Sequence, residues 1–281
     1  MTKLKLTIDV RKLHDFSEFA QLILIKSGLF DVESVVMPEY DQYLELRDQV
    51  YGRYRHCHGG MAFIRINGEL IIIDTQYEEE RSHEFHKIGL FSNMRPKLYV
   101  KMENDKAMSL KLGCPVRSWV QFPAGWHLVD KFKWGDKRPL RTAILVSSKN
   151  SLRIMNRTSW FSMADKLETF DTAIGIKQSE YLKHLSRSKW GVILSRDNDH
   201  NTREYEFISN HVPMALNYWP ECNFPFYPNE HFLFVESPRD LKKLMEVDPE
   251  PFHKQSEMLW NTYFRPDSAS KWLCGMAGIS I

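Results

Sequence analysis

From Arg141 to Val247 short apolar runs alternate with amphipathic segments, and this alternation limits the fold more than any other feature of the chain. RTAILVSS, TAIGI, KWGVILS, PMALNY and HFLFVE read as strands. SLRIMNRTSWFSMADKLETF, SEYLKHLSRS, NTREYEFISN and SPRDLKKLMEV read as helices between or after them. Strands alternating with helices of this length make βαβ units and a mainly parallel sheet, an α/β fold. Asn201 or Thr202 is placed to cap the third helix. Ser237-Pro238 opens the fourth. HKQSEMLWNTYF and SKWLCGM read as one or two further helices after the sheet is complete.

The N-terminal half has a different pattern. LKLTIDV alternates as a strand, DFSEFAQLILIKSG carries helical spacing with Gly28 near its end, and VESVVMP reads as a strand halted before Pro38. EYDQYLELRDQVYGRYR reads as a helix. MAFIRI and ELIIID flank Asn67-Gly68, a pair that favours a tight hairpin, and KLYVKM and VRSWVQF are further strands. Residues 123–140, PAGWHLVDKFKWGDKRPL, combine Pro, Gly and charge, which places a junction near 135. A chain of 281 residues suits two domains at roughly 150 residues each. The reading is therefore a lobe over 1–135 and a lobe over 136–281, with the last helices packing back on the first.

Composition removes several classes. Thirty-eight Lys and Arg against 36 Asp and Glu leave a net charge of +2, without the basic excess of a polybasic nucleic-acid binder. Hydrophobic residues at 43% and charged residues at 26% argue against wholesale disorder. Cys57, Cys114, Cys222 and Cys274 form no CxxC pair and read as reduced, packing thiols. No apolar run approaches the roughly 20 residues of a membrane span, and the N-terminal stretch lacks a secretory cleavage site. The expectation is a soluble, cytoplasmic protein. Asn156-Arg157-Thr158 matches a glycosylation sequon and reads as chance. No GxxxxGK[ST] or well-placed GxGxxG occurs, which disfavours a kinase or dehydrogenase.

In an open parallel sheet, ligands bind beyond the carboxyl ends of the strands. That rule selects Ser147, Ser148, Lys149, Asn150 and Arg153 after RTAILV, and SRDNDHNTREYEFISNHVP after GVIL. A helix beginning near Thr202 offers backbone N–H groups and a positive dipole end to an anion. Arg203 and Glu206 stand three apart and share a helix face. A diphosphate and its ribose would satisfy both; the alternative is an intrahelical ion pair on a solvated face.

The ordered set TREYEFI, SNHVPMAL, FPF and HFLFVESPRDL, over about residues 141 to 245, resembles the donor-binding half of exostosin-like GT-B glycosyltransferases. Residues 60 to 126, with GGMAFI and KLGCPVRSWVQFPAGW, are similar to compact exostosin-like proteins of large algal viruses, soluble sugar transferases that include a xylosyltransferase. The resemblance implies two Rossmann-like lobes with a cleft between them, the N-terminal one reduced. It implies a UDP-sugar donor, with UDP-xylose first, and an oligosaccharide or glycoside acceptor such as a fucose-bearing viral glycan. The location would then be the host cytoplasm. Glu206 would accept from the ribose hydroxyls and Arg203 would sit by the diphosphate. Ser147, Ser148, Lys149 and Arg153 would meet the phosphates, with Ser195, Asp199, His200, Asn201 and Thr202 completing the donor site.

Inverting transfer also needs a base for the acceptor hydroxyl. Asp74, at the end of LIIID, is the first choice, with a turn cap as its alternative reading; His83 or His86 is second and Glu78 third. His56 and His58, beside Cys57, read as ordinary hydrogen-bonded residues. HEFH is not HExxH, so metalloprotease chemistry is unsupported. Asp197-x-Asp199 after an apolar strand leaves open a metal-dependent GT-A type of transfer. Its late position favours transfer without a required metal or other cofactor. Tyr218, Trp219, Phe224, Phe226 and Tyr227 would form a wall of the donor site or the core between the lobes. Trp119, Phe122 and Trp126 would line the acceptor side or the core. A non-catalytic sugar-nucleotide binder remains the reading from another class.

Overall fold

The computed structural model describes residues 3–11, 15–51, 61–74, 89–101, 112–119, 141–147, 157–176, 178–194, 202–219 and 224–281. The chain forms two compact units, residues 1–126 with 265–281, and residues 127–264. The C-terminal helix Pro266–Met276 belongs to the first unit. The α/β class expected from the sequence is what the structure shows, one sheet with helices in each unit.

Unit 1 contains β1 (Leu4–Asp9), α1 (Asp15–Lys26), β2 (Phe30–Val35), α2 (Pro38–Tyr51), β3 (Met61–Ile66), β4 (Glu69–Asp74), β5 (Leu98–Lys101) and β6 (Val116–Ser118). Its strands lie in the order β2-β1-β3-β4-β5-β6. Asn67 and Gly68, at φ 50° and 86°, make the expected hairpin between β3 and β4, since both centres of that turn need positive φ. β3 runs against both β1 and β4, so β1 and β4 point the same way. β2 is parallel to β1, and β5 and β6 are parallel to β4. Among the described residues the sheet of unit 1 has six strands and that of unit 2 has five. One face carries Met61, Phe63, Ile72, Tyr99 and Val116 into a core closed by Met37, Tyr43 and Phe91.

Asp9, at the carboxyl end of β1, organises the next connection. Its carboxylate accepts from the backbone N–H of Arg11 (2.8 Å) and Met37 (2.9 Å) and pairs with the Arg11 guanidinium (2.6 Å). Burial pushes this carboxyl up, but the Arg11 and Met37 donors outweigh it and hold it below the usual range. A lowered folded pKa means the stabilisation is full above the unfolded value of about 3.9 and fades as pH falls through the folded value. Asp9→Asn should therefore lower stability by about 1–3 kcal/mol at pH 7, with the gap to the native protein closing in acid. Urea titrations at pH 7 and pH 3 check this; a gap that persists unchanged at pH 3 refutes it.

Unit 2 contains β7 (Arg141–Ser147), α3 (Thr158–Ala164), β8 (Phe170–Ile174), α4 (Gln178–Leu185), β9 (Ser188–Ile193), α5 (Thr202–Ser209), β10 (Met214–Leu216) and β11 (Leu233–Phe234). A 3-10 turn (Pro238–Lys242), α6 (Lys243–Glu246), α7 (Glu250–Leu259) and a π turn (Trp260–Phe264) follow. The sheet is parallel throughout, in the order β11-β10-β9-β7-β8. Helical spacing running on to Phe170 overstates the C-terminal end of α3. The helix ends at Ala164 and the chain turns through Leu167, because Phe170 pairs with Ala143 and sheet pairing overrides local periodicity.

The buried aromatics of unit 2 are its own packing. Trp160 and Phe161 of α3, Trp190 of β9 and Phe252 of α7 share one core, with Trp190 and Phe252 rings 5.1 Å apart. Phe224 and Phe226 pack on Phe264 and Phe232 inside the same unit. Trp219 and Tyr227 are exposed, and Trp119 in unit 1 is fully buried.

Gly191 lets α5 lie directly on β9. A Cβ there would stand 2.4 Å from the Phe207 ring, which is itself buried. Gly191→Ala should cost about 1–3 kcal/mol by overpacking, read as a lower urea midpoint at unchanged slope. An unchanged midpoint would show that Phe207 yields freely.

Cys114 and Cys274 are free, buried thiols, and burial pushes that of Cys274 up to about 11. Cys57 and Cys222 lie outside the described residues. Among the described residues no helix is long and apolar enough to cross a membrane.

Candidate functional site

In unit 2 the strand order places β7 between β8 and β9, so the connection after β7 leaves one way and that after β9 the other. A doubly wound sheet binds ligands at such a reversal, outside the carboxyl ends of its strands. Arg157 precedes α3, on the route from β7 to β8. Arg203 and Glu206 lie on α5, on the route from β9 to β10. Tyr181 comes from α4, and Tyr218 follows β10.

These side chains gather into a largely buried polar cluster. α5 reads as a polar helix, yet Glu204, Glu206, Ser209 and Asn210 are each at most 5% exposed. Charged carboxylates are almost never buried to this degree without partners, so the helix is held by more than its apolar side. Arg203 reaches Glu206 at 4.0 Å and lies over the Tyr181 ring, 4.5 Å from guanidinium to ring centre. Burial first, and the Glu206 charge second, push the Tyr181 phenol well up, with Arg203 pulling the other way. The Tyr218 hydroxyl donates to Glu204. Burial and that carboxylate push the Tyr218 phenol well up as well, so it is neutral near pH 7. The Arg157 guanidinium donates to the Leu194 carbonyl at the end of β9. Burial pushes its pKa down, and the like charge of Arg203 adds to the effect.

The far end of α5 is equally fixed. Its C-terminal turn uses His211 at φ 58°, and Val212 N–H returns to the Phe207 carbonyl at 2.8 Å. Ser256 of α7 donates to the Val212 carbonyl at 3.0 Å, and His253 Nδ1 to the His211 carbonyl at 2.7 Å. Arg203 and Glu206 are thus carried on a helix locked at its base by side chains from another element.

The solvated-face reading of the Arg203–Glu206 pair is overturned by the burial of Glu206, which is 2% exposed. Ser147 ends β7 at the same rim. Thr202 opens α5, but its side chain lies outside the described residues. Ser148, Lys149, Arg153, Ser195, Asp197, Asp199, His200 and Asn201 also lie outside them. Arg157, Tyr181 and Glu204 were not singled out by motif. The available signal for Arg157 was its place just ahead of a helix on the rim after the first strand of a parallel sheet.

Unit 1 has its own polar row at the carboxyl ends of three parallel strands. Asp74 of β4 is in register with Lys101 of β5, and Lys101 with Ser118 of β6. Register partners project to one face of the sheet. Asp74, Lys101 and Ser118 are 1%, 7% and 8% exposed. Tyr99, two residues before Lys101 and on the same face, donates its hydroxyl to Asp74 at 2.5 Å. The sheet therefore fixes this carboxylate sideways, through a neighbouring strand. Glu78, His83 and His86 lie outside the described residues, as do His56 and His58. Among the described residues no group of three or more His, Cys, Asp and Glu is placed to hold a metal ion.

No protein-family model and no curated protein matches the chain. Among solved structures, a chain described as "Crystal structure of GtfA/B complex" aligns over 96% of this chain and 97% of its own, with TM-score 0.41 and 8% identity. A likeness at that level carries no argument about activity.

Proposed function

We propose that the protein is a glycosyltransferase that takes a nucleoside-diphosphate sugar at the rim of unit 2. The observation that carries the reading is the buried Glu206 beside Arg203 at the reversal point of a parallel sheet. A carboxylate and a guanidinium held side by side match a ribose diol and a phosphate. The resemblance to exostosin-like enzymes supports UDP as the nucleotide and xylose as the first sugar to try. An oligosaccharide or glycoside is the acceptor.

In this reading the acceptor hydroxyl oxygen attacks the anomeric carbon, the bond from that carbon to the diphosphate oxygen breaks, and UDP leaves with the electron pair. The hydroxyl proton passes to Asp74, and the anomeric configuration inverts. The guanidinium of Arg203 stabilises the charge on departing UDP as a preorganised donor. Lys149 and Arg153 would add to it, and no divalent metal is required.

Thermal shift against a panel of UDP-sugars, repeated with EDTA, tests the reading. A ligand present at a hundredfold its dissociation constant stabilises by about 2.7 kcal/mol, which raises the melting temperature by several degrees. UDP-xylose should give the largest rise, unchanged by EDTA. A rise that vanishes with EDTA and returns with manganese would favour metal-dependent transfer through Asp197 and Asp199. No rise with any UDP-sugar would remove the proposal. Binding with no release of UDP over days would make the protein a binder.

A further inference from the structure

We infer that Arg157 is the second guanidinium of a diphosphate clamp, closing on the ligand opposite Arg203. The inference rests on the reading of the unit 2 rim as a nucleotide-sugar site and adds to it a residue that no motif marks. Three observations carry it. Arg157 and Arg203 come from the two connections that diverge at the sheet reversal, so they flank the place where such sheets bind ligands. Arg157 is 9% exposed and bonded to the Leu194 carbonyl, so its head group is oriented by the end of β9. Arg203 is likewise oriented, by the Tyr181 ring beneath it.

Two preorganised guanidiniums from opposite sides suit two linked phosphates better than one. Each planar fork takes two oxygens, and the geometry of a diphosphate lets both forks engage at once. The like charges also act on each other: after burial, Arg203 is the largest influence on Arg157, and it disfavours the charge. An anion placed between them reverses that penalty.

Calorimetry on the full chain with UDP, UMP, uridine and inorganic pyrophosphate tests this, comparing the native protein with Arg157→Met and Arg157→Lys. Arg157→Met should weaken UDP about 10- to 100-fold while leaving uridine unchanged. Its melting temperature without ligand shows whether the variant folds. Arg157→Lys keeps a donor for Leu194 and the charge but loses the fork, and should weaken UDP about tenfold. It serves if the Met variant does not fold. UDP binding by the native protein that neither variant weakens overturns the clamp and leaves the nucleotide-sugar reading standing. Tight pyrophosphate binding, lost in Arg157→Met, with UDP no tighter than pyrophosphate, keeps the clamp and overturns the nucleotide. Binding of neither UDP nor pyrophosphate by the native protein overturns both.

Discussion

Asp74→Asn should reduce the rate of UDP release from the donor by about 10²- to 10⁴-fold, the usual contribution of a positioned general base. The substitution is conservative where it matters for folding. The Asn side-chain oxygen still accepts from the Tyr99 hydroxyl, which bonds Asp74 at 2.5 Å. The row with Lys101 and Ser118 keeps its register, since that is set by the backbone. What disappears is the ability to take a proton. Donor affinity should be nearly unaffected, because Arg203 and Glu206 belong to unit 2 and Asp74 to unit 1. Steady-state release of UDP, with calorimetry on the same samples, separates the two quantities. Native turnover in the Asn variant moves the base elsewhere, with His83 and Glu78 next in line. Loss of turnover together with loss of donor binding would make Asp74 a structural carboxylate.

Glu206→Ala should weaken UDP by about 10- to 100-fold, the loss of charge-assisted hydrogen bonds worth about 1.5–3 kcal/mol. The helix should survive. Alanine is the strongest helix former, and the backbone carbonyl of residue 206 still accepts from Ser209 Oγ (3.0 Å) and Asn210 Nδ2 (2.8 Å). A second ligand sharpens the test. If Glu206 holds the ribose, 2′-deoxy-UDP should bind the native protein more weakly than UDP, and the Ala substitution should then cost little more. Equal losses for both nucleotides would place Glu206 in support of Arg203 rather than in contact with sugar. Unchanged affinity for UDP would remove Glu206 from the site altogether.

Much of this protein follows from local rules that a sequence carries openly. Asn67-Gly68 dictates a hairpin because few other pairs accept positive φ at both positions. The alternation from Arg141 onward dictates a parallel sheet, since each helix must return the chain to the same edge. Thr202 to Ser209 form the helix that their spacing predicts, with Arg203 and Glu206 on one face. Three things were decided only by tertiary structure. The end of α3 was set by the pairing of Phe170 with Ala143, a contact between distant residues. The burial of Glu204 and Glu206 was set by what packs around α5, including Phe207 against Gly191, so no count of charges along the helix could reveal it. That Arg157 feels the charge of Arg203 depends on strand order, because β8 and β9 take opposite sides of β7. Periodicity reports which face of an element is apolar; which elements become neighbours is fixed by the free energy of the whole packed chain.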